Sequence, residues 1–435
     1  MPGAEVEWDA REGKLSADLR GTRLGDALKT LANHMGWIVF IEPGLESRMV
    51  STRFTNLSLS EALRRILGGV NYALIHLEKT GSSKLMVYAT SASSATREIE
   101  LSDQVVIFYS KRIAHELIVQ IKPGSSVSIE EVADALGADI IGKVEGLDAY
   151  RLSFNDDADA DKARQRLRGA ESVRISDNFE LGRPGDHQTF RGGNVSGISL
   201  KPSVTKGDEV IVGLIDMPVQ SDDSTLSEFL LPGINVGGEV LSQETLPSHG
   251  TSMAQTVLKG IELGNEGKPE SRVRILPVDV YGDSETTTTF QVTSGIYEAV
   301  KAGANIINLS LGGTEATPIM EQMIHQASQQ GVLVIGAAGN SPGTHPVFPA
   351  AYPDVLAVTA EGGDGEAAAY ANTGAFVDVM MPGRSFIEYN GTTFMINGTS
   401  ASAAYVSGLA ASLSANTGQS VREVERELRQ RLPRP

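Results

Sequence analysis

Asp216, His249 and Ser400 each stand where a strand is expected to end or a helix to begin, and together they hold what nucleophilic hydrolysis needs. A serine hydroxyl attacks only after a base takes its proton, and the base needs a buried carboxylate to fix its tautomer. Asp216 closes the apolar run Glu209–Ile215, where an unpaired carboxylate would be costly. His249 lies in Ser248-His249-Gly250-Thr251, ahead of Met253, Val257, Leu258 and Ile261 on one helix face. Ser400 follows Asn397-Gly398-Thr399 and opens an apolar helix through Val406, Leu409 and Ala410. Its own N–H then joins the free donors of a helix N-terminus. Asn340 closes Gly336-Ala337-Ala338-Gly339-Asn340 at a strand end, a suitable place for a second donor to an oxyanion. Taken singly, Asp216 could cap a loop, and His249 and Ser400 could be ordinary helix-start residues. Their joint occurrence with Asn340 is what points to chemistry. The chain has no cysteine, which removes thiolate nucleophiles, thiolate metal sites and disulfides together.

The elements that must position these residues alternate between strand and helix over roughly residues 193–435. Strands are expected at Glu209–Ile215, Arg272–Val280, Asn305–Leu311, Val332–Ala337, Val355–Val358 and Phe376–Val379. Helices fall between them, at Thr293–Ala302 and Pro318–Gln330. That order predicts an α/β segment with a mostly parallel sheet flanked by helices, whose functional groups collect beyond the carboxyl ends of the strands.

Two smaller α+β segments precede it. In the first, Leu24, Ala27, Leu28 and Leu31 mark one helix face, and Ser58-Leu59-Ser60-Glu61 is a capping box that opens a second helix, stopped by Gly68-Gly69. Strands are expected at Lys14–Arg20, Trp37–Ile41 and Met49–Thr55, and a hairpin at Tyr72–Tyr88. Ser91–Ala95 reads as a linker. The second segment has the order β-α-β-β-α-β of a ferredoxin-like fold, with strands at Glu116–Ile121, Ile140–Val144, Ala149–Phe154 and Ser172–Ser176. The boundaries expected are 1–95, 96–185 and 186–435. For 435 residues, three domains fit the usual size.

Seven ordered blocks carry a resemblance to the subtilisin-like serine proteases: Val210–Asp216, His249-Gly250-Thr251, Asn305–Gly313, Gly336–Asn340, Phe348–Pro353, Asn372–Gly383, and Gly398-Thr399-Ser400 with Val406–Ala411. The resemblance implies that Asp216 orients the base, His249 is general base and acid, Ser400 is the nucleophile, and Asn340 with the Ser400 N–H forms the oxyanion hole. It also implies that Ser310-Leu311-Gly312 pairs with substrate backbone and that Gly336, Ala337, Ala338 and Gly339 wall a pocket for apolar side chains. Glu116–Gly124 and Val144–Tyr150 resemble the inhibitor-type propeptide of the same family. That likeness implies a precursor restrained by its own propeptide domain and cut near Asn178–Asn194. The first segment is similar to the short N-terminal domain of secretins and TonB-dependent receptors, through Leu15–Arg20 with Leu24–Leu28, Ile41–Gly44 and Leu57–Leu63. That likeness implies an interaction module with a protein partner.

Three departures accompany the family pattern: Met217-Pro218 after Asp216, Ser252-Met253-Ala254-Gln255 after Gly250-Thr251, and Ala401-Ser402-Ala403-Ala404 after Ser400. They leave open a slow enzyme, or a regulatory protein that keeps the fold as a scaffold. The chemistry requires no cofactor. Calcium is common in the family, and Asp222-Asp223 or Asp283-Ser284-Glu285 could bind it, although no EF-hand spacing exists and solvated acidic loops account for them better. A net charge of −17 argues against a nucleic-acid partner. No apolar run reaches the ~20 residues of a membrane helix. The family resemblances imply export, to the periplasm or beyond, whereas the polar start of the chain lacks a signal-peptide pattern.

Overall fold

The computed structural model describes residues 5–9, 14–35, 38–76, 83–90, 97–98, 110–182, 198–203, 208–221, 224–239, 246–284, 286–363 and 365–435. The Ser91–Ala95 linker, most of the Asn178–Asn194 junction, and Asp222, Asp223 and Glu285 lie outside them. The chain divides into two compact units, Met1–Val106 and Ile107–Pro435.

In the first unit, Glu5–Asp9, Lys14–Arg23 and Met49–Ser58 form an antiparallel sheet, and Ile38–Ile41 lies in a second sheet beside Ser83–Tyr88. The helix Leu24–Met35 buries Leu24, Ala27, Leu28 and Leu31, as their spacing predicts. Ser58 and Glu61 form the expected capping box, and Gly68, with φ +55°, ends the second helix. Two strands depart from the sequence reading. Glu5–Asp9 is too polar to read as a strand and is recruited by pairing with Lys14–Asp18. Arg97–Glu98 pairs with Phe40 and Ile41, so the first unit extends past the boundary drawn after Ala95.

The second unit opens with Glu116–Ile121 (β1), Ile129–Leu136 (α1), Asp139–Val144 (β2), Ala149–Ser153 (β3), Asp157–Leu167 (α2) and Val173–Ser176 (β4). The strands form one antiparallel sheet in the order β4-β1-β3-β2. One face of this sheet keeps its own core, built on Leu117, Val119, Ile129, Leu152 and Phe154. The other face does not. Ile118, Val144, Leu147 and Ala149 belong to the same apolar cluster as Phe290, Ile296 and Ile319 of the following α/β layer. Close approach is made possible by Gly142 and Gly146, where a methyl group would lie 2.9 Å from the Phe290 ring and 2.3 Å from the Tyr297 ring. Shared burial is why the second and third expected segments form one compact unit.

The tail strand Glu180–Gly182 (β5) precedes the α/β layer, which is built on Val210–Asp216 (β6), Ile234–Asn235 (β7), His249–Gly264 (α3), Val273–Asp279 (β8), Thr286–Thr288 (β9), Thr289–Lys301 (α4), Ile306–Leu309 (β10), Pro318–Gln329 (α5), Leu333–Ala337 (β11), Val355–Glu361 (β12) and Val379–Pro382 (β13). A hairpin, Arg384–Tyr389 (β14) and Thr392–Asn397 (β15), leads into Thr399–Thr417 (α6) and Val421–Arg431 (α7). Seven strands form a parallel sheet in the order β7-β8-β6-β10-β11-β12-β13. Alternate residues feed opposite faces: Leu214, Ile306 and Ile335 pack under α3 and α6, while Ile215, Ile307 and Val334 pack under α4 and α5. The last strand begins at Val379 rather than Phe376, because the Val377 N–H turns back to the Gly374 carbonyl at 2.9 Å.

Two glycines let α3 and α6 cross almost backbone to backbone. A methyl group at Gly408 would lie 2.0 Å from the Val257 carbonyl oxygen, and one at Gly260 would lie 2.3 Å from that of Tyr405. Because His249 and Ser400 begin these two helices, this crossing sets their separation. Gly408→Ala should overpack the contact at a cost of about 3 kcal/mol, read as a fall of about 5 °C in Tm.

Candidate active site

Three neighbouring strands deliver the polar residues to one end of the sheet. Asp216 ends β6, Ser310 follows β10, and Gly339-Asn340 follows β11. The chain order reverses between β6 and β10, so this end is a switch point, where parallel sheets open a crevice. Asp216 is fully buried, and both its carboxylate oxygens face His249 Nδ1, at 2.7 and 2.9 Å. The Met217 N–H donates to Asp216 Oδ1 at 2.7 Å. His249 is 5% exposed and sits in the first turn of α3, behind the cap Ser248, whose Oγ accepts the Thr251 N–H at 3.0 Å. Gly250 must be glycine, since a methyl group there would lie 2.0 Å from the Met217 carbonyl oxygen.

Ser400, at 6% exposure, lies in the first turn of α6, and the hairpin β14–β15 feeds that helix. Its Oγ donates to the Ser310 carbonyl at 3.2 Å, and Ser310 Oγ donates back to the Ser400 carbonyl at 3.1 Å. Behind them, Asn308 Nδ2 donates to Ser310 Oγ at 2.9 Å, and Ser407 Oγ donates to Asn308 Oδ1 at 3.0 Å. Asn340 Oδ1 accepts the Thr399 N–H at 2.8 Å and the Thr399 hydroxyl at 3.0 Å. Those two donors settle which way the amide points, leaving Nδ2 as its donor face. Gly398, with φ +148°, allows this approach: a methyl group there would lie 2.9 Å from Nδ2.

The expected pocket residues differ in exposure. Ser310, Leu311, Gly336, Ala337 and Ala338 are buried, and Gly312 and Gly339 are partly exposed. Gly313 pairs with Phe348 through two 2.8 Å backbone hydrogen bonds. The three departures from the family pattern have structural partners. Pro218 offers its carbonyl to Ser248 Oγ at 2.5 Å, Gln255 exchanges hydrogen bonds with the Glu388 backbone at 2.6 and 3.0 Å, and Ser402 Oγ donates to the Pro382 carbonyl at 3.3 Å.

Sequence reasoning missed Asp279, which stands opposite Asp216 in the β6–β8 register. Its Oδ1 accepts the N–H groups of Tyr281 and Gly282, each at 2.9 Å, while its buried Oδ2 has no hydrogen-bond partner among the described residues. Burial pushes this carboxyl above the usual carboxylate range, and Asp216 pushes the same way. The folded state therefore holds the proton to higher pH than the unfolded chain, and stability falls as pH rises through that interval. Among the described residues, no group of three or more histidines and carboxylates could hold a metal ion.

The model of the Subtilase family matches residues 207–432, more than half of the chain. The chain belongs to the subtilase family. A second model, the Fervidolysin N-terminal prodomain, matches residues 113–175, the region of β1 to β4. Subtilisin DY of Bacillus licheniformis is 32% identical over 213 residues, covering 47% of this chain and 77% of its own. Thermitase of Thermoactinomyces vulgaris is 29% identical over 225 residues, covering 51% and 80%. M-protease of Shouchella clausii (strain KSM-K16) is 25% identical over 338 residues, covering 75% and 85%. This subtilase is a subtilisin-like serine endopeptidase that carries a prodomain ahead of its catalytic layer. No described helix is long and apolar enough to cross a membrane.

Proposed function

We propose that Asp216, His249 and Ser400 form the catalytic triad and that the prodomain holds the enzyme as a precursor. The observation that carries this reading is the carboxylate of Asp216 placed on His249 Nδ1 at 2.7 and 2.9 Å in a fully buried position. With Nδ1 protonated toward the carboxylate, Nε2 is the basic nitrogen. It takes the proton of Ser400 Oγ as that oxygen bonds to the scissile carbonyl carbon. Negative charge then gathers on the carbonyl oxygen, for which the Ser400 N–H and Asn340 Nδ2 are the donors. His249 returns the proton to the leaving amine, the C–N bond breaks, and water repeats the sequence on the acyl-enzyme.

The prodomain restrains this chemistry by laying its own tail along the cleft as a product-like strand, β5 on β9. Asn178 fastens the root of the tail: it is fully buried, and its Oδ1 accepts the Phe290 N–H at 3.1 Å and the Thr289 hydroxyl at 3.0 Å. Maturation cuts beyond it, in the junction ending near Asn194. The substrates are proteins or peptides with apolar residues at the pocket, the first unit engages a protein partner, and the enzyme works after export. Calcium, where bound, is structural.

On a denaturing gel, purified full-length protein should convert to a shorter form, and Ser400→Ala should stay whole. An unmutated chain that stays whole and hydrolyses no peptide would defeat the precursor reading.

A further inference from the structure

The prodomain tail is held by backbone hydrogen bonds on both sides. On one side β5 pairs antiparallel with β9, Glu180 opposite Thr288, Leu181 opposite Thr287 and Gly182 opposite Thr286. On the other, the Glu180 N–H donates to the Lys111 carbonyl at 2.8 Å, and the Ile113 N–H to the Asn178 carbonyl at 2.9 Å. Leu181, 3% exposed, presses on Gly313, where a methyl group would lie 2.7 Å from its Cδ2. Gly313 is three residues beyond Ser310, which exchanges hydrogen bonds with Ser400. An extended backbone with a buried apolar side chain therefore lies against the segment that follows Ser310.

Tyr281 reaches that backbone from beneath. It is fully buried just past the end of β8, its N–H is held by Asp279 Oδ1 at 2.9 Å, and its phenol donates to the Gly182 carbonyl at 3.2 Å. This bond is no part of the β5–β9 ladder: a side chain reads a main-chain carbonyl, which any peptide presents whatever residue it carries there. We infer that Tyr281 is a substrate-binding residue, donating to the carbonyl at the Gly182 position of any peptide that replaces the tail on β9. The inference rests on the product-like reading of the tail, and it makes the preferred substrates extended peptides that reach that position.

The test uses the full-length enzyme after processing, with and without Tyr281→Phe, which keeps the ring and removes the donor. The substrates are two synthetic peptides of this chain's residues 176–194, one carrying a thioamide, a weak acceptor, in place of the Gly182 carbonyl. The unsubstituted enzyme should favour the oxygen peptide in kcat/KM by about fivefold, and Tyr281→Phe by less than about twofold. Equal discrimination by both enzymes, or none by either, overturns the assignment. If neither enzyme cuts either peptide, the protease reading is what fails. Tyr281 is then judged by amide exchange in full-length Ser400→Ala. There, Tyr281→Phe should speed exchange of residues 179–182 by about fivefold, and an unchanged rate overturns the role.

Discussion

Ser400→Ala should lower kcat on a peptide substrate by about 10^6-fold, a magnitude that belongs to subtilisin itself, while leaving the fold intact. The substitution removes one atom, the Oγ that donates to the Ser310 carbonyl at 3.2 Å. Losing one such bond costs about 1 kcal/mol, a shift in Tm of only a few degrees. The Ser400 N–H, Asn340 and the Asp216–His249 pair remain, so a small residual rate above that of water should survive through binding and the oxyanion donors. Steady-state hydrolysis measured beside thermal unfolding separates the two effects. A variant retaining more than about 1% of the activity would place the nucleophile elsewhere.

Asp216→Asn should cost about 10^4-fold in kcat near neutral pH. The Met217 N–H donates to Oδ1 at 2.7 Å, so an asparagine must keep its oxygen there. Its NH2 then takes the Oδ2 position, 2.9 Å from His249 Nδ1, in competition with the oxygen kept at Oδ1, 2.7 Å away, and the carboxylate charge that held the Nδ1 proton is gone. A donor facing Nδ1 favours the tautomer with the proton on Nε2, and a protonated Nε2 cannot accept from Ser400. The expected signature is a well-folded protein with a reversed imidazole tautomer, read from the ring-nitrogen NMR shifts together with kcat. A loss smaller than tenfold with the tautomer unchanged would mean that Asp216 only braces the helix start.

The residues proposed to carry this chemistry stand out in the sequence because each sits at an element boundary marked by its own local sequence. Asp216 closes an apolar strand, His249 and Ser400 begin apolar helices, and Asn340 ends a glycine-rich turn. What was hidden depends on partners far away in the chain. Thr286–Thr288 is three residues of threonine, and only pairing with Glu180–Gly182, about a hundred residues earlier, makes it a strand. Tyr281 reads as one more core aromatic until its phenol is seen on the Gly182 carbonyl. Asp279 shows no motif at all, since its significance lies in the register that sets it beside Asp216. The hairpin β14–β15 is different. Asn390-Gly391, with φ +50° and +70°, carries the strongest short-range hairpin signal, and Ser420 with Glu423 forms the capping box that opens α7.

Reactivity of Ser400 toward a fluorophosphonate probe tests the central claim most directly, because phosphonylation requires an activated serine beside a working base and oxyanion hole. Full-length protein treated with the probe under processing conditions should gain one adduct, mapped by mass spectrometry to the peptide that contains Ser400. His249→Ala should abolish it. No adduct on Ser400 in protein that unfolds cooperatively, or labelling that persists without His249, would contradict the account.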